Sequence, residues 1–205
     1  MNNFNINNHC TCDNSNSALL PTHQKYVKGQ MNIILLSHQR ELDRKTNTGK
    51  LVLEVMLGQV KVIVWDRVNP NPYLLDKLAT KQVGLLFPKQ EHSTLNDIQA
   101  PLQRFIDIDN DNAHRLAEFS HVIIIDSTWQ EARKIYNRSD YLHQLTKITL
   151  VNELPSIFSL RRNQIEGGLC TAECACLLLS HCGLSTEADV LREKLINFNP
   201  KLGSV

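Results

Sequence analysis

The chain has 205 residues, 42% hydrophobic and 21% charged, which suits one globular domain large enough to bury a substantial core. A formal net charge of +1 excludes an overall basic character as a reason to expect a nucleic-acid partner, although a local basic face is compatible with it. No stretch approaches the roughly 20 apolar residues of a membrane span. The first residues are Asn-rich without the basic-then-apolar order of a signal peptide, so the expected location is cytoplasmic.

In chain order, residues 1–28 are rich in Asn, Ser and Thr and read as a loosely ordered arm ahead of a domain over 29–205. Residues 31–36 form an apolar run that enters a loop at Ser37-His38, the pattern of a strand. The spacing of Leu51, Val52, Val55 and Met56 predicts a helix over 46–57, stopped near Gly58. A strand is expected over 61–65, and Asn69-Pro70-Asn71-Pro72 reads as a loop. A third strand spans 82–87 and stops at Pro88, followed by a polar stretch over 89–97 with no clear period. Strands at 121–125 and 147–151 and helices at 129–136, 171–180 and 187–198 complete the reading. Strands alternating with helices predict an α/β fold, with a mostly parallel sheet covered by helices on both faces. There is no Gly-x-Gly-x-x-Gly to support a dinucleotide site.

Cysteine and histidine spacing says little about metal. Cys170, Cys174, Cys176 and Cys182 lack Cys-x-x-Cys pairs, and the first two share a helical face with Leu177 and Leu178, so all four read as reduced core residues. The eight histidines form no His-x-x-His pattern.

One segment stands out. In residues 121–136 four apolar, mostly β-branched residues run into Asp126, Ser127 and Thr128, and Trp129 then opens an amphipathic stretch carrying Arg133 and Lys134. This is a buried strand feeding a helix, and ligands of open α/β sheets gather at the strand carboxyl ends. Two readings of these residues stand together. Asp126 or Ser127 is the helix cap and Trp129 core filling, or Asp126 to Trp129 form part of a site.

Asp126-Ser127-Thr128-Trp129 with Ala132-Arg133-Lys134 resembles the signature of the DTW-domain proteins. Three more blocks resemble that family in the same order. They are Ser37-His38-Gln39-Arg40-Glu41-Leu42 with Thr46-Asn47-Thr48-Gly49, Leu85-Leu86-Phe87-Pro88, and Leu160-Arg161-Arg162 with Gly168-Leu169-Cys170-Thr171-Ala172-Glu173. The resemblance implies a tRNA-uridine aminocarboxypropyltransferase. Such enzymes move the 3-amino-3-carboxypropyl arm of S-adenosylmethionine to N3 of a uridine and release methylthioadenosine. It also implies a trefoil-knotted fold related to the SPOUT methyltransferases. Many bacterial members begin with paired cysteines suited to zinc. Here only Cys10 and Cys12 remain, with His9 and His23 nearby, and that spacing is poor for a closed tetrahedral site, so zinc is not expected.

Under the resemblance, Asp126 is the candidate to accept the uridine N3 proton; otherwise it caps the helix or orients Arg133. Phe87, Pro88, Ser127, Thr128, Trp129, Gly168, Leu169 and Thr171 are the expected S-adenosylmethionine contacts, with Gly167 and Gly168 permitting close backbone approach. Arg40, Arg44, Arg133, Lys134, Arg161 and Arg162 are the candidate tRNA contacts, or else solvated surface residues. Glu173 reads as a cap or orienter of its helix. Two further readings are a SPOUT-type methyltransferase and a non-catalytic RNA-binding protein, the latter because Gln39 stands where the family often has Pro. The pattern leaves the oligomeric state open.

Overall fold

The computed structural model describes residues 31–88, 105–109, 111–151, 156–158 and 168–198. Six strands form one sheet in the order β2-β1-β5-β3-β6-β4. They are β1 (Asn32–Ser37), β2 (Val60–Val64), β3 (Val83–Leu86), β4 (Phe105–Ile108), β5 (His121–Asp126) and β6 (Thr146–Leu150). Every neighbouring pair is parallel. Parallel sheets need both faces covered, and the sequence supplies that through runs such as Ile33-Ile34-Leu35-Leu36 and Val122-Ile123-Ile124-Ile125.

Successive strand residues point to opposite faces, and the two cores follow that alternation. Ile33, Leu35, Val122 and Ile124 pack with α2 (Gly49–Val55), α6 (Thr171–His181) and α7 (Ser185–Phe198). Ile34, Leu36, Ile123 and Ile125 face the second core, built with α3 (Pro72–Ala79), α4 (Trp129–Asn137) and α5 (Asp140–His143). Burying each such side chain contributes roughly 1.5–3 kcal/mol, and this face-by-face burial holds the register. The expected α/β fold with helices on both faces is therefore the one found. No helix among the described residues is long and apolar enough to cross a membrane.

Several local expectations change. The helix expected from residue 46 begins at Gly49, because the Asn47 side chain accepts the Gly49 N–H at 2.7 Å and holds a turn there. The Asn-Pro-Asn-Pro segment is not all loop. Asn71 caps α3, accepting the Tyr73 N–H at 3.0 Å, and Pro72 takes the first helical position, where its missing N–H costs nothing. Short elements escaped the pattern altogether: the edge strand β4, α1 (Gln39–Leu42), α5 and a 3-10 helix over Ala113–Glu118. Cys170 lies ahead of α6 as its cap residue, not on the helical face, and Cys174 is only half-buried, while Cys170, Cys176 and Cys182 are core. Burial raises the Cys176 thiol to about 11, so it remains protonated at neutral pH. The arm over 1–28, with Cys10 and Cys12, and the polar stretch from 89 to 97 lie outside the described residues.

Gly84 in β3 marks the tightest packing against the neighbouring strand. A Cβ there would lie 2.4 Å from Ile148 Cδ1 and 3.2 Å from Phe119 Cδ1. Gly84→Ala should lower stability by about 1–3 kcal/mol through overpacking, measured by urea unfolding. An unchanged midpoint would show that this core relaxes freely.

Candidate active site

The neighbouring interior strands β1 and β5 end in step, with Ser37 the register partner of Asp126. Asp126 is 1% exposed, and three side chains donate to its carboxylate. Oδ2 accepts from Ser37 Oγ at 3.1 Å and from Asn47 Nδ2 at 3.1 Å, while Oδ1 accepts from Thr171 Oγ1 at 2.8 Å. Asn47 is used at both ends, since Nδ2 also donates to the Glu41 carbonyl at 2.8 Å and Oδ1 accepts the Gly49 N–H at 2.7 Å. Its neighbour Thr48 accepts the Ala172 N–H at 3.3 Å, joining the starts of α2 and α6. A buried carboxylate is tolerated only when it is well supplied with donors, and three segments meet β5 here to supply them. Gly49 is required by this approach, because a Cβ there would sit 2.7 Å from Asp126 Oδ2.

A second polar layer is more open. Thr128 caps α4 by accepting the Glu131 N–H at 3.4 Å, and its hydroxyl donates back to Glu131 Oε2 at 3.0 Å. Ser127 Oγ stands 3.5 Å from the same oxygen. Arg44 pairs with Glu41 and reaches Glu131 at 3.7 Å. Burial pushes the Glu131 carboxyl upward, but hydrogen bonding with Thr128, the charge of Arg44 and hydrogen bonding with Glu41 outweigh it. The group therefore sits below the ordinary glutamate value and is ionised at neutral pH.

Aromatic groups border both layers. His38 caps α1, accepting the Arg40 N–H on Nδ1 at 3.2 Å, and its ring centroid lies 6.1 Å from that of Trp65. Trp65 is anchored by its indole N–H, which donates to Ser139 Oγ at 2.9 Å, and by its backbone N–H to the Ser37 carbonyl at 2.8 Å. Phe87 stacks between Trp129 and Tyr136, with centroids at 5.7 and 4.5 Å. On the far side, Glu173 accepts from Cys170 N at 2.7 Å, Ile157 N at 2.7 Å and Ser156 Oγ at 2.8 Å, so it caps α6 and secures residues 156–158.

The structure thus sorts the sequence candidates. Asp126 and Thr171 are in direct contact; Ser127 and Thr128 join through Glu131; Phe87 and Trp129 form a ring pair. Gly168 and Leu169 are half-buried in the segment leading to α6, and Pro88 is exposed just past β3. Asp126 is not the cap of α4, which is Thr128, and it does not orient Arg133, which is exposed. Asp126, the expected proton acceptor, is sealed and filled by protein donors. Arg44 is engaged by two glutamates, whereas Arg40, Arg133 and Lys134 are exposed. Arg161, Arg162 and Gly167 lie outside the described residues. Sequence reasoning missed Asn47, Gly49, Trp65 and Glu131 as site residues. The Thr128-x-x-Glu131 spacing of a capping box was the available signal for the last. No group of three or more His, Cys, Asp and Glu suited to a metal ion occurs among the described residues.

Two substitutions test the buried layer. Asp126→Asn sets an amide N–H against at least one of the three donors and should cost about 1–3 kcal/mol. Gly49→Ala pushes on the same carboxylate and should cost a similar, roughly 1–3 kcal/mol. Chemical unfolding of both variants checks this, and losses under about 0.5 kcal/mol, within the range of ordinary surface changes, would overturn the account of the layer.

Known proteins can be set beside this geometry. A family model described as the DTW domain matches residues 6–201. The tRNA-uridine aminocarboxypropyltransferase 2 of Drosophila melanogaster is 28% identical over 166 residues, an alignment covering 78% of this chain and 59% of that protein. The chain thus spans less than two thirds of that relative's length. No solved structure matches it. With the family's four blocks in order and the match running nearly end to end, the chain belongs to the DTW-domain family.

Proposed function

We propose that this protein transfers the 3-amino-3-carboxypropyl group of S-adenosylmethionine to N3 of a tRNA uridine, with methylthioadenosine released. The observation that carries this reading is the meeting of three separated sequence blocks at one strand edge. Ser37 and Asn47 from the first block, Asp126 from the second and Thr171 from the third share a single carboxylate. The name of the Drosophila relative supports the same chemistry.

Asp126 serves the reaction as an anchor. By tying β1, β5, α2 and α6 it sets the positions of the half-buried Thr128, Trp129, Gly168 and Leu169 around the strand ends. These residues suit a sulfonium nucleoside, offering a hydroxyl, a ring face backed by Phe87, and glycine backbone. Ser127 and Pro88 border them, and Thr171 contributes by holding Asp126. Which carbon of the sulfonium reacts is a matter of presentation, because positioning decides which one meets the nucleophile. The exposed Arg40, Arg133 and Lys134, together with Arg161 and Arg162, are the cations for tRNA phosphates. The knotted SPOUT-like threading belongs to the same proposal, supported by the all-parallel sheet and its non-sequential strand order.

Nucleoside mass spectrometry of unmodified tRNA incubated with the protein and S-adenosylmethionine tests this. A uridine heavier by one aminocarboxypropyl group, with methylthioadenosine alongside, is the expected result. A methylated nucleoside with adenosylhomocysteine, or tRNA binding without product, would overturn it.

A further inference from the structure

We infer that Glu131, in the first turn of α4, is the catalytic group that takes the uridine N3 proton. This rests on the transferase reading above and deepens it. The nitrogen must lose a proton as it attacks, so an ionised acceptor has to stand where a base can reach it. Three of the other candidates at this strand edge are removed by their surroundings. Asp126 is 1% exposed and filled by Ser37, Asn47 and Thr171. Glu41 is 2% exposed and paired with Arg44. His38 spends Nδ1 on the Arg40 N–H, so its neutral ring carries the proton on Nε2 and offers a donor, not an acceptor.

Glu131 differs in each respect. Its side chain is 20% exposed. Thr128 and Ser127 hold one oxygen, Oε2, at 3.0 and 3.5 Å, and Arg44 stands 3.7 Å from the same atom. That arrangement fixes the carboxylate through Oε2, with Glu41 hydrogen-bonded to the group as well, while the side chain keeps part of its surface exposed. Hydrogen bonding with Thr128 and the charge of Arg44 keep it ionised and ready to receive a proton. A strong base is not required, since the proton is taken only as the new bond forms.

The step balances. N3 bonds to the terminal methylene carbon of the aminocarboxypropyl arm, and the bond from that carbon to sulfur breaks with its electron pair left on sulfur. The N3 proton passes to Glu131. The sulfonium and the carboxylate are both neutralised, giving methylthioadenosine and a glutamic acid that returns its proton to water.

The bland role for Glu131 is that of the third helical residue in a capping box with Thr128. Glutamine fills that role equally well, so Glu131→Gln keeps an oxygen for Thr128 while removing the basic carboxylate and its charge pairing with Arg44. The measurement is the single-turnover rate of aminocarboxypropyl transfer at saturating tRNA and S-adenosylmethionine, with both dissociation constants and the melting temperature determined alongside. A loss of about 100-fold or more in rate is expected, with binding and melting unchanged, since general-base catalysis contributes on that scale. A variant within about threefold of wild type, or a loss that follows weakened tRNA binding alone, would overturn the role of Glu131. If the wild-type protein itself forms no modified uridine, the transferase reading fails first, and the two failures are told apart.

Discussion

The Asp126 carboxylate is the interaction on which this molecule is arranged. A charge taken out of water costs several kcal/mol unless it is met by donors, and here the donors come from β1, the turn before α2, and the start of α6. None of those segments is near Asp126 in sequence. Each can satisfy the carboxylate only when strand register, helix start and helix docking are all correct together. The buried charge therefore gives little net stability of its own but favours one relative placement of four elements. Gly49 shows how little slack exists, because a methyl group at that position would touch the carboxylate.

The same stretch of chain carries two acids with opposite surroundings. Asp126 closes a strand and is sealed; Glu131 opens a helix and meets solvent on one side. Environment rather than residue type sets the two apart, which is the basis for proposing a positioning role for one and a reactive role for the other. Arg44 links the layers, since it pairs with the buried Glu41 and also stands beside Glu131. This candidate tRNA contact thus stands between two of the site's acids.

The sheet explains why the site lies where it does. β1 and β5 are neighbouring interior strands and terminate side by side, so their carboxyl ends are flanked by helix starts on both faces. On one face α2 and α6 bring Asn47, Thr48 and Thr171; on the other α4 brings Thr128 and Glu131. The ring pair of Phe87 and Trp129 joins the end of β3 to the same edge.

Much of this was legible in the residues themselves. Runs of β-branched and leucine residues bounded by polar turns marked the buried parallel strands, because only apolar side chains on both faces satisfy a covered sheet. The strand-to-helix junction at Asp126 identified the edge that matters, and the ordered blocks identified the family. Short elements such as β4 and α5 were not legible, since four residues carry too little periodicity to register. Pro72 was misread because proline breaks a helix interior but suits its first position. Above all, sequence by itself could name Asp126, Asn47, Thr171 and Glu131 as polar residues but could not say which would be sealed and which left open. Burial and hydrogen-bond partners come from segments far apart in the chain. Only their packing in three dimensions decided that Asp126 is sealed among donors from three segments and that Glu131 stays partly exposed.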